Sequence, residues 1–483
     1  MPVLALAGSE QKRQAGALPG LVARNIYMEP DPTNTVDGMV RLQRPGLSPW
    51  VNVGDGPINS VFRLSGLFGG DYFVHSGTQL WRVNSAGIVT FVGGLANSRA
   101  QMAASANKLI AVNGSFARSF DGTTWRVINM PDGQPVQSVA FLAGFFVFTV
   151  LGSQRVYYME PGESDPDPLS FFEAERLPDP LVTAAVSGDE LWLIGEQSEE
   201  VWVPSGDPDA PFDRVGGRAY ENGCLARDTL VQVDNALIWV SRDANVILAQ
   251  GQPRIISKPD IAEWLRNSPP ATMRAWAFKL DQHLFILLTA GSETWCFDIS
   301  TERWFRWSSY NSDAFRAHLG VDLVAGDAET NQLYRLTPGR SNDNGEPMVR
   351  EIAGMIEVVG APVRCDSVSL RAAVGNTTEL RQPTGCTATG FWDDGAEWDD
   401  YDIWYDETPL LRLPRIELRW SDDEGNLWTD WRSVTLGLQG QYRRPVVWRK
   451  LGLLRRSLRI FQFRATDDVE FRISHAHWNE AVN

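Results

Sequence analysis

The most polarised segment of the 483-residue sequence lies between residues 391 and 407 and reads FWDDGAEWDDYDIWYDE. It combines carboxylates with aromatic rings and contains no basic residue. Carboxylates are ligands for Ca²⁺, although the spacing departs from the EF-hand register, which needs Gly at position six and Glu at position twelve. Aromatic rings beside carboxylates also describe a sugar-binding cleft, and glycosidases use a pair of carboxylates. A plain loop at an interface or lining a lumen is the reading we favour, with these residues: Asp393, Asp394, Trp398, Asp399, Asp400 and Asp402.

The opposite charge is concentrated between residues 441 and 466, where there are eight basic residues and no acidic one. Such a segment can contact nucleic-acid phosphates. Arginine also makes bidentate contacts with carboxylates, which suits protein interfaces, and this chain carries its own acidic loop. We therefore predict an assembly interface, formed by Arg443, Arg444, Arg449, Lys450, Arg455 and Arg456.

Other candidate chemistry is weak. His475 and His477 are two residues apart on a predicted strand, so they face one side and could share a metal, but the sequence suggests no third ligand. His283 lies in an apolar strand and is predicted to be a satisfied core residue. The sequence has no phosphate-binding loop, zinc-protease, nucleophile-elbow or dinucleotide-binding motif. We therefore predict that the protein is not an enzyme and has no catalytic, cofactor or metal residues.

The overall charge narrows the classes of partner. Sixty acidic residues against 44 basic ones give a net charge of −16, which argues against a general duplex-DNA binder. No apolar run approaches the length of a membrane-spanning helix, and the first residues make a poor signal peptide. Nineteen tryptophans require a structural explanation.

The elements that position these residues are predicted to be strands almost throughout. Pairs of apolar or alternating segments, separated by Gly, Asn or Asp turns, recur along the chain. The second segments of these pairs are centred 37 to 49 residues apart, at Trp81, Phe120, Tyr157, Trp202, Val246, Trp295 and Tyr334. Repeats of about 40–45 residues are typical of β-propeller blades, whose wedges large aromatics fill. We expect about seven blades, with six or eight as alternatives.

A single helix is predicted near Ile261, Trp264 and Leu265, ended by Pro269 and Pro270. Near residue 340 a hydrophilic break precedes further alternating segments, which predict a sandwich. The fold class is therefore mainly β. Residues 1–50 are expected to form an N-terminal arm and entry strand, residues 51–340 the propeller, and residues 345–483 a β-sandwich-like assembly domain.

Residues 421–428 read SDDEGNLW and fit the pattern S-x-D-x-G-x-x-W of an Asp-box hairpin. Its role is structural, because the Asp fastens the turn, the Gly takes a positive φ and the Trp packs beneath. The motif therefore predicts a hairpin and no active site.

Short segments in a consistent order resemble the tail nozzle (packaged-DNA-stabilisation) proteins of short-tailed bacteriophages. They are NIY at 25–27, LQRPGL at 42–47, LWRV at 80–83, IAEWL at 261–265, LRWSDDEG at 418–425, RRPVVWRKLG at 443–452 and FQFR at 461–464. The resemblance implies a ring of six copies that lies in the virion tail, below the portal and its adaptor ring. It also implies that this ring is assembled in the host cytoplasm. It also implies a tail plug or needle, attached spikes or fibres, and DNA that passes through without sequence-specific binding or membrane insertion of the protein.

Two rival functions remain open at this point. One is a carbohydrate-binding or carbohydrate-active propeller, with Trp392, Trp398 and Trp404 stacking on sugar. The other is a secreted propeller of unknown ligand, which would be a monomer.

Overall fold

The computed structural model describes residues 2–12, 20–96, 98–174, 176–358, 362–374, 389–390, 404–405, 413–437, 440–454 and 458–479. They divide into two compact units. The propeller unit contains residues 11–12 and 45–338, and the sandwich unit contains residues 2–10, 20–44 and the described residues from 339 onward.

The propeller unit is built from four-stranded antiparallel sheets, and six of these blades use four consecutive strands each. Blade 1 comprises Ile58–Phe62, Tyr72–Ser76, Gln79–Val83 and Val89–Gly94, and blade 2 comprises Gln101–Ala104, Leu109–Val112, Ala117–Phe120 and Trp125–Ile128. Blade 3 comprises Val136–Leu142, Phe145–Val150, Arg155–Met159 and Phe171–Glu173, and blade 4 comprises Leu181–Ser187, Glu190–Gly195, Glu199–Pro204 and Phe212–Tyr220. Blade 5 comprises Val231–Val233, Ala236–Val240, Val246–Gln250 and Gln252–Ile255, and blade 6 comprises Arg274–Leu280, His283–Ala290, Glu293–Asp298 and Arg303–Trp307.

A composite blade closes the ring. Its first three strands are Ala317–Val321, Val324–Asp327 and Gln332–Thr337, and its fourth is Gly46–Asn52 from the beginning of the unit. The first strand of this blade packs against the first strand of blade 1. The approach is close, since a Cβ added at Gly326 would lie 2.2 Å from the side chain of Ile58. The ring is therefore sealed by strand pairing and packing between its two ends.

The seven repeat centres predicted from the sequence occupy the same position in their blades. Every predicted centre from Trp81 to Tyr334 lies on the third strand of its blade. The β-propeller prediction is confirmed. Aromatic side chains also fill the wedges, since Trp192 of blade 4 and Trp239 of blade 5 are fully buried with ring centroids 6.3 Å apart.

Aspartates fasten several blade turns. Asp327 accepts hydrogen bonds from the backbone N–H groups of Glu329 and Thr330, and from the hydroxyl of Tyr334. Asp298 is paired in a similar way with the Nδ1 atom of His283 at 2.8 Å. His283 is therefore a satisfied core residue, as predicted from the sequence.

The described residues contain one α-helix, Pro259–Arg266, at the predicted position. Proline occupies the first turn, where its missing N–H costs no hydrogen bond, and Ile261, Trp264 and Leu265 are buried. The 3₁₀ turns are Leu67–Gly69, Pro131–Gly133, Arg227–Thr229 and Pro270–Thr272. Within the described part of the chain, no helix is long and apolar enough to cross a membrane.

The sandwich unit contains two antiparallel sheets. The first comprises Ile26–Pro30, Met39–Gln43, Arg472–Trp478, Ser367–Ala372 and Val446–Arg449, in spatial order. The second comprises Ala23–Arg24, Arg350–Glu357, Leu458–Ala465, Arg415–Ser421 and Arg432–Thr435. Short strands are Asn342–Asp343, Glu346–Pro347, Val363–Arg364, Leu453–Leu454, Thr389–Gly390 and Trp404–Tyr405.

One strand, Val3–Leu6, joins the two sheets. Val3 and Leu4 pair with the first sheet, whereas Ala5 and Leu6 pair with the second. Strands that switch sheets make the corners of β-sandwiches. Buried aromatics lie between the sheets, where the rings of Trp448 and Phe463 are 5.6 Å apart. The predicted β-sandwich-like domain is therefore confirmed as a fold.

A fully buried ion pair lies at the centre of a polar network in the sandwich unit. The guanidinium of Arg44 donates to both carboxylate oxygens of Asp343, at 3.0 and 2.5 Å, and both side chains are inaccessible to solvent. Arg44 also donates to the Oδ1 atom of Asn25 at 2.8 Å. Arg350 donates to Gln43 at 3.0 Å. The network thus connects the segments around residues 25, 44 and 343.

We predict that Asp343→Ala will destabilise the sandwich unit by about 3–5 kcal/mol, because it leaves the Arg44 charge buried without its partner. The loss in the free energy of unfolding is measured in urea, with hydrogen-exchange mass spectrometry of the strand Arg350–Glu357 as the readout. Glu302→Ala removes one partner of an exposed pair with Arg254 and should cost about 0–1 kcal/mol. The double variant Arg44→Met/Asp343→Leu should recover most of the lost stability; a double variant as unstable as Asp343→Ala would contradict the explanation.

Three carboxylates are buried in blade 4. Asp179 accepts hydrogen bonds from the backbone N–H groups of Gln197 and Ser198, and Glu200 accepts one from Arg176. The second oxygen of each, and one oxygen of Glu199, is buried without a hydrogen-bond partner. Burial raises the pKa of Glu199 to about 7, with hydrogen bonds from Asn222 opposing the shift and the charge of Asp179 adding to it.

Because the pKa of Glu199 is higher in the folded state, its ionisation removes stability as pH rises from about 4.5 to about 7. We predict that Glu199→Gln will stabilise the propeller relative to the wild type at neutral pH, by at most on the order of 3 kcal/mol. The difference should vanish below about pH 4. Thermal unfolding across this pH range tests the prediction, with Glu329→Gln on an exposed turn as control. A stabilisation that does not change with pH would contradict it.

Candidate assembly surface

The predicted interface residues that the structure describes are all exposed. Arg443 and Arg444 lie in the loop before the strand Val446–Arg449, and Arg449 and Lys450 lie at its end. Among the described residues, no carboxylate forms an ion pair with these four side chains. They are therefore cations available to a partner.

The backbone around Arg449 and Lys450 is fixed by the first sheet. Arg449 pairs with Ser367, and the N–H of Lys450 donates to the carbonyl of Asp366 at 2.7 Å. Within this strand, Val446 and Trp448 are buried and Arg449 is exposed, as the two-residue period of a strand requires. The two cations consequently project from a rigid element.

Arg432 extends this surface, although the sequence analysis did not include it. It is exposed, and its Nη1 atom donates to the carbonyl of Lys450 at 3.2 Å. Its guanidinium also lies 4.7 Å from the ring centroid of Trp420. We call the set Arg432, Arg443, Arg444, Arg449 and Lys450 the basic surface.

The last two arginines of the basic stretch are used inside the unit. Arg459 is 1% exposed and makes a bidentate pair with Asp422, at 2.6 and 2.8 Å. Arg464 donates to Glu417 at 2.8 and 2.7 Å. The stretch that appears uniform in sequence therefore divides into an outward-facing and an inward-facing part.

Arginines and tryptophans stack beside this surface. Arg419 lies 4.6 Å from the ring centroid of Trp428 and 4.5 Å from that of Trp431, and Arg464 lies 3.9 Å from the ring of Trp431. Desolvation lowers the pKa of Arg419. Cation–π contacts of this kind hold the planar guanidinium groups in place. They also account for tryptophans outside the blades.

The Asp-box hairpin forms as predicted. The Oδ1 atom of Asp423 accepts a hydrogen bond from the N–H of Leu427 at 2.8 Å, and Gly425 has a φ of 91°. The indole N–H of Trp428 donates to the carbonyl of Gly425. Leu427 is 76% exposed at the tip of this hairpin.

The other predicted site residues lie outside the described part of the chain. They are Arg455 and Arg456, and the acidic loop residues Asp393, Asp394, Trp398, Asp399, Asp400 and Asp402. The calcium and sugar alternatives depend on the same loop. Among the residues that the structure describes, no three His, Cys, Asp or Glu side chains are grouped to hold a metal ion. The rings of His475 and His477 are 4.9 Å apart.

Comparison with solved structures gives weak overall similarity. The computationally designed Ika8 protein has 13% identity and a TM-score of 0.37, covering 68% of this chain and 100% of its own. YCF48 from Cyanidioschyzon merolae has 12% identity and a TM-score of 0.40, covering 60% and 99%. BamB from Moraxella catarrhalis has 13% identity and a TM-score of 0.37, covering 69% and 98%. These scores are too low to support an argument, and no curated protein sequence matches the chain.

Family models give the identification. Residues 2–340 match the model described as bacteriophage P22 Gp10, beta-propeller, and residues 405–479 match bacteriophage P22 Gp10, beta-sandwich. The two matches occur in the order of the two folds described above. The chain therefore belongs to the bacteriophage P22 Gp10 family of tail nozzle, or packaged-DNA-stabilisation, proteins.

Proposed function

We propose that this protein is the subunit of a six-membered nozzle ring, which extends the DNA channel below the portal and adaptor of a short-tailed phage. Membership of the family supports a structural role in the phage tail. The observation that carries the ring is the basic surface, a group of exposed cations that form no ion pair with a carboxylate of the described residues, on a chain with a net charge of −16.

Ring symmetry explains why such a surface would remain unpaired within one subunit. In a cyclic ring each contact is heterologous, so one face of a subunit meets a different face of the next. A basic face then requires an acidic face opposite, and an excess of sixteen negative charges supplies one. The adaptor ring is a second proposed partner, which would likewise present an acidic face to the basic surface.

The proposal has further parts that rest on the family alone. They are assembly in the host cytoplasm, residence in the virion tail, retention of packaged DNA, and attachment of a plug or needle and of spikes or fibres. None of these roles requires catalysis. The acidic loop is assigned to an interface or to the lumen.

We predict that the double variant Arg449→Glu/Lys450→Glu will reduce ring assembly, because it places like charges opposite each other at every contact. Native mass spectrometry and light scattering would show smaller species at protein concentrations where the wild type forms rings. The same variant should also cofractionate less with phage tails if the basic surface contacts the adaptor.

A matched control is Arg254→Glu/Lys279→Glu in the propeller unit. These residues are also exposed, but each already pairs with a carboxylate of its own chain, Glu302 and Asp234 respectively. The control carries the same change of charge and should assemble normally. If both variants assemble like the wild type, the basic surface has no role in the ring.

We also predict that the isolated protein does not bind duplex DNA at physiological salt, because its net negative charge repels phosphates and a conduit must not adhere to its cargo. Fluorescence anisotropy with a short labelled duplex measures retention. Binding that weakens steeply as salt is added would contradict the prediction, and so would a basic lumen in the assembled ring.

A further inference from the structure

A partly open pocket of about 140 Å³ lies among the inner strands of the propeller, at the centre of its ring. Its walls come from the inner strands of the blades and the turns that precede them. Ser60 belongs to blade 1, Gln101 to blade 2, and Leu319 to the closing blade. Arg99 and Arg227 enter from the segments before blades 2 and 5.

Two arginine side chains cross the axis of the ring in opposite directions. From the start of blade 2, Arg99 donates to the carbonyls of Asp228 and Ala275 beside blades 5 and 6. From the start of blade 5, Arg227 donates to the carbonyl of Arg99 at 2.8 Å and to that of Gln137 in blade 3 at 3.1 Å. The pocket therefore has a floor made of two guanidinium groups.

The charge of this floor is not balanced by the protein. Asp228 is the single carboxylate among the described lining residues, and it pairs with Arg227 at 2.9 Å. The pKa of Arg99 is lowered to about 10, mainly by desolvation; the charge of Asp228 opposes this shift, and the charges of Arg227 and Arg274 add to it. Arg99 stays protonated at neutral pH, and no carboxylate of the described residues pairs with Arg274. Enclosed positive charge of this kind is costly without an anion.

A polar atom without a partner lies in the same wall. The Nε2 atom of Gln101 donates weakly to the carbonyl of Ala184 at 3.4 Å, whereas its Oε1 atom is buried and accepts no hydrogen bond. A buried acceptor left unpaired costs about 1–3 kcal/mol. A ligand that carries both a negative oxygen and a hydroxyl would satisfy the cations and this acceptor together.

We propose that the axial pocket of the propeller binds a small protonated oxyanion of the phosphate type. The anionic oxygens contact the guanidinium groups of Arg99 and Arg227, and the hydroxyl donates to the Oε1 atom of Gln101. A pocket of about 140 Å³ accommodates such an ion and excludes a DNA duplex. The phosphate group is thus a free ion and does not belong to the DNA backbone. Binding of this ion would also stabilise the propeller, since a ligand that binds only the folded state raises the stability of that state.

Inorganic phosphate is the probe for the first experiment. In a phosphate-free buffer at constant ionic strength, calorimetric titration of the full chain should show saturable binding of one ion per chain, with a rise in Tm. Arg274→Gln should weaken binding about tenfold, since it removes a nearby charge and breaks no hydrogen bond of the described residues. Arg254→Gln, an exposed arginine on blade 5, carries the same change of charge and should bind like the wild type.

Gln101→Glu provides an independent test within the pocket. The carboxylate would stand in for the anion, so the variant should lose phosphate binding and melt at a higher temperature than the phosphate-free wild type. Three results would overturn the proposal: no saturable response in the wild type, equal loss of affinity in Arg274→Gln and Arg254→Gln, or displacement of phosphate by a short DNA duplex. The last result would assign the site to backbone phosphate.

Discussion

A propeller has no covalent bond at its seam, so the pairing of its first and last strands determines whether the ring stays closed. Here that pairing runs from Gly46 opposite Thr337 to Asn52 opposite Gln332. Arg44 lies two residues before this strand, and its guanidinium is buried against Asp343 in the sandwich unit. The same two chain segments are therefore tied twice, once by strand hydrogen bonds and once by an ion pair. Each tie is internal to its own unit.

Among the described residues, the buried basic side chains other than histidine are arginines. Arg44, Arg350 and Arg459 are almost inaccessible to solvent, and each donates to several oxygens. A guanidinium has five donors in a fixed plane, so it can satisfy carbonyls and carboxylates on several strands at once, which a lysine ammonium cannot do. The sequence contains five lysines and 39 arginines. The structure adds a physical use for many of these arginines. The exposed cations of the basic surface differ because no carboxylate of the described residues forms an ion pair with them.

Much of the fold could be predicted from the sequence, because a turn precedes the third strand of each blade, and that strand contains an aromatic residue in every blade except blade 5, where Val246–Gln250 is aliphatic. The first and fourth strands were less evident. The run from Val139 to Val150 is almost entirely apolar yet forms a hairpin, and Ala143 in its turn adopts a positive φ of 52° that its residue type does not indicate. Other contacts could not be predicted because they depend on the pairing of strands that are distant in sequence. The pairing of Arg459 with Asp422 depends on which strands are neighbours, and so does the position of Arg432 beside Lys450.

The axial arginines are the clearest example of a feature that one sequence cannot reveal. Arg99 and Arg227 are far apart in the chain, and neither belongs to a recognisable motif. Only the circular order of the blades brings these two arginines to the axis of the propeller. Their side chains cross this axis and block it. This closure bears on the proposed conduit. DNA cannot pass along the axis of an individual propeller that two guanidinium groups cross, so in the proposed ring the channel would lie between copies of the chain. The lumen is then a property of the ring, and the surfaces that set its charge are those that subunits leave free after they pair.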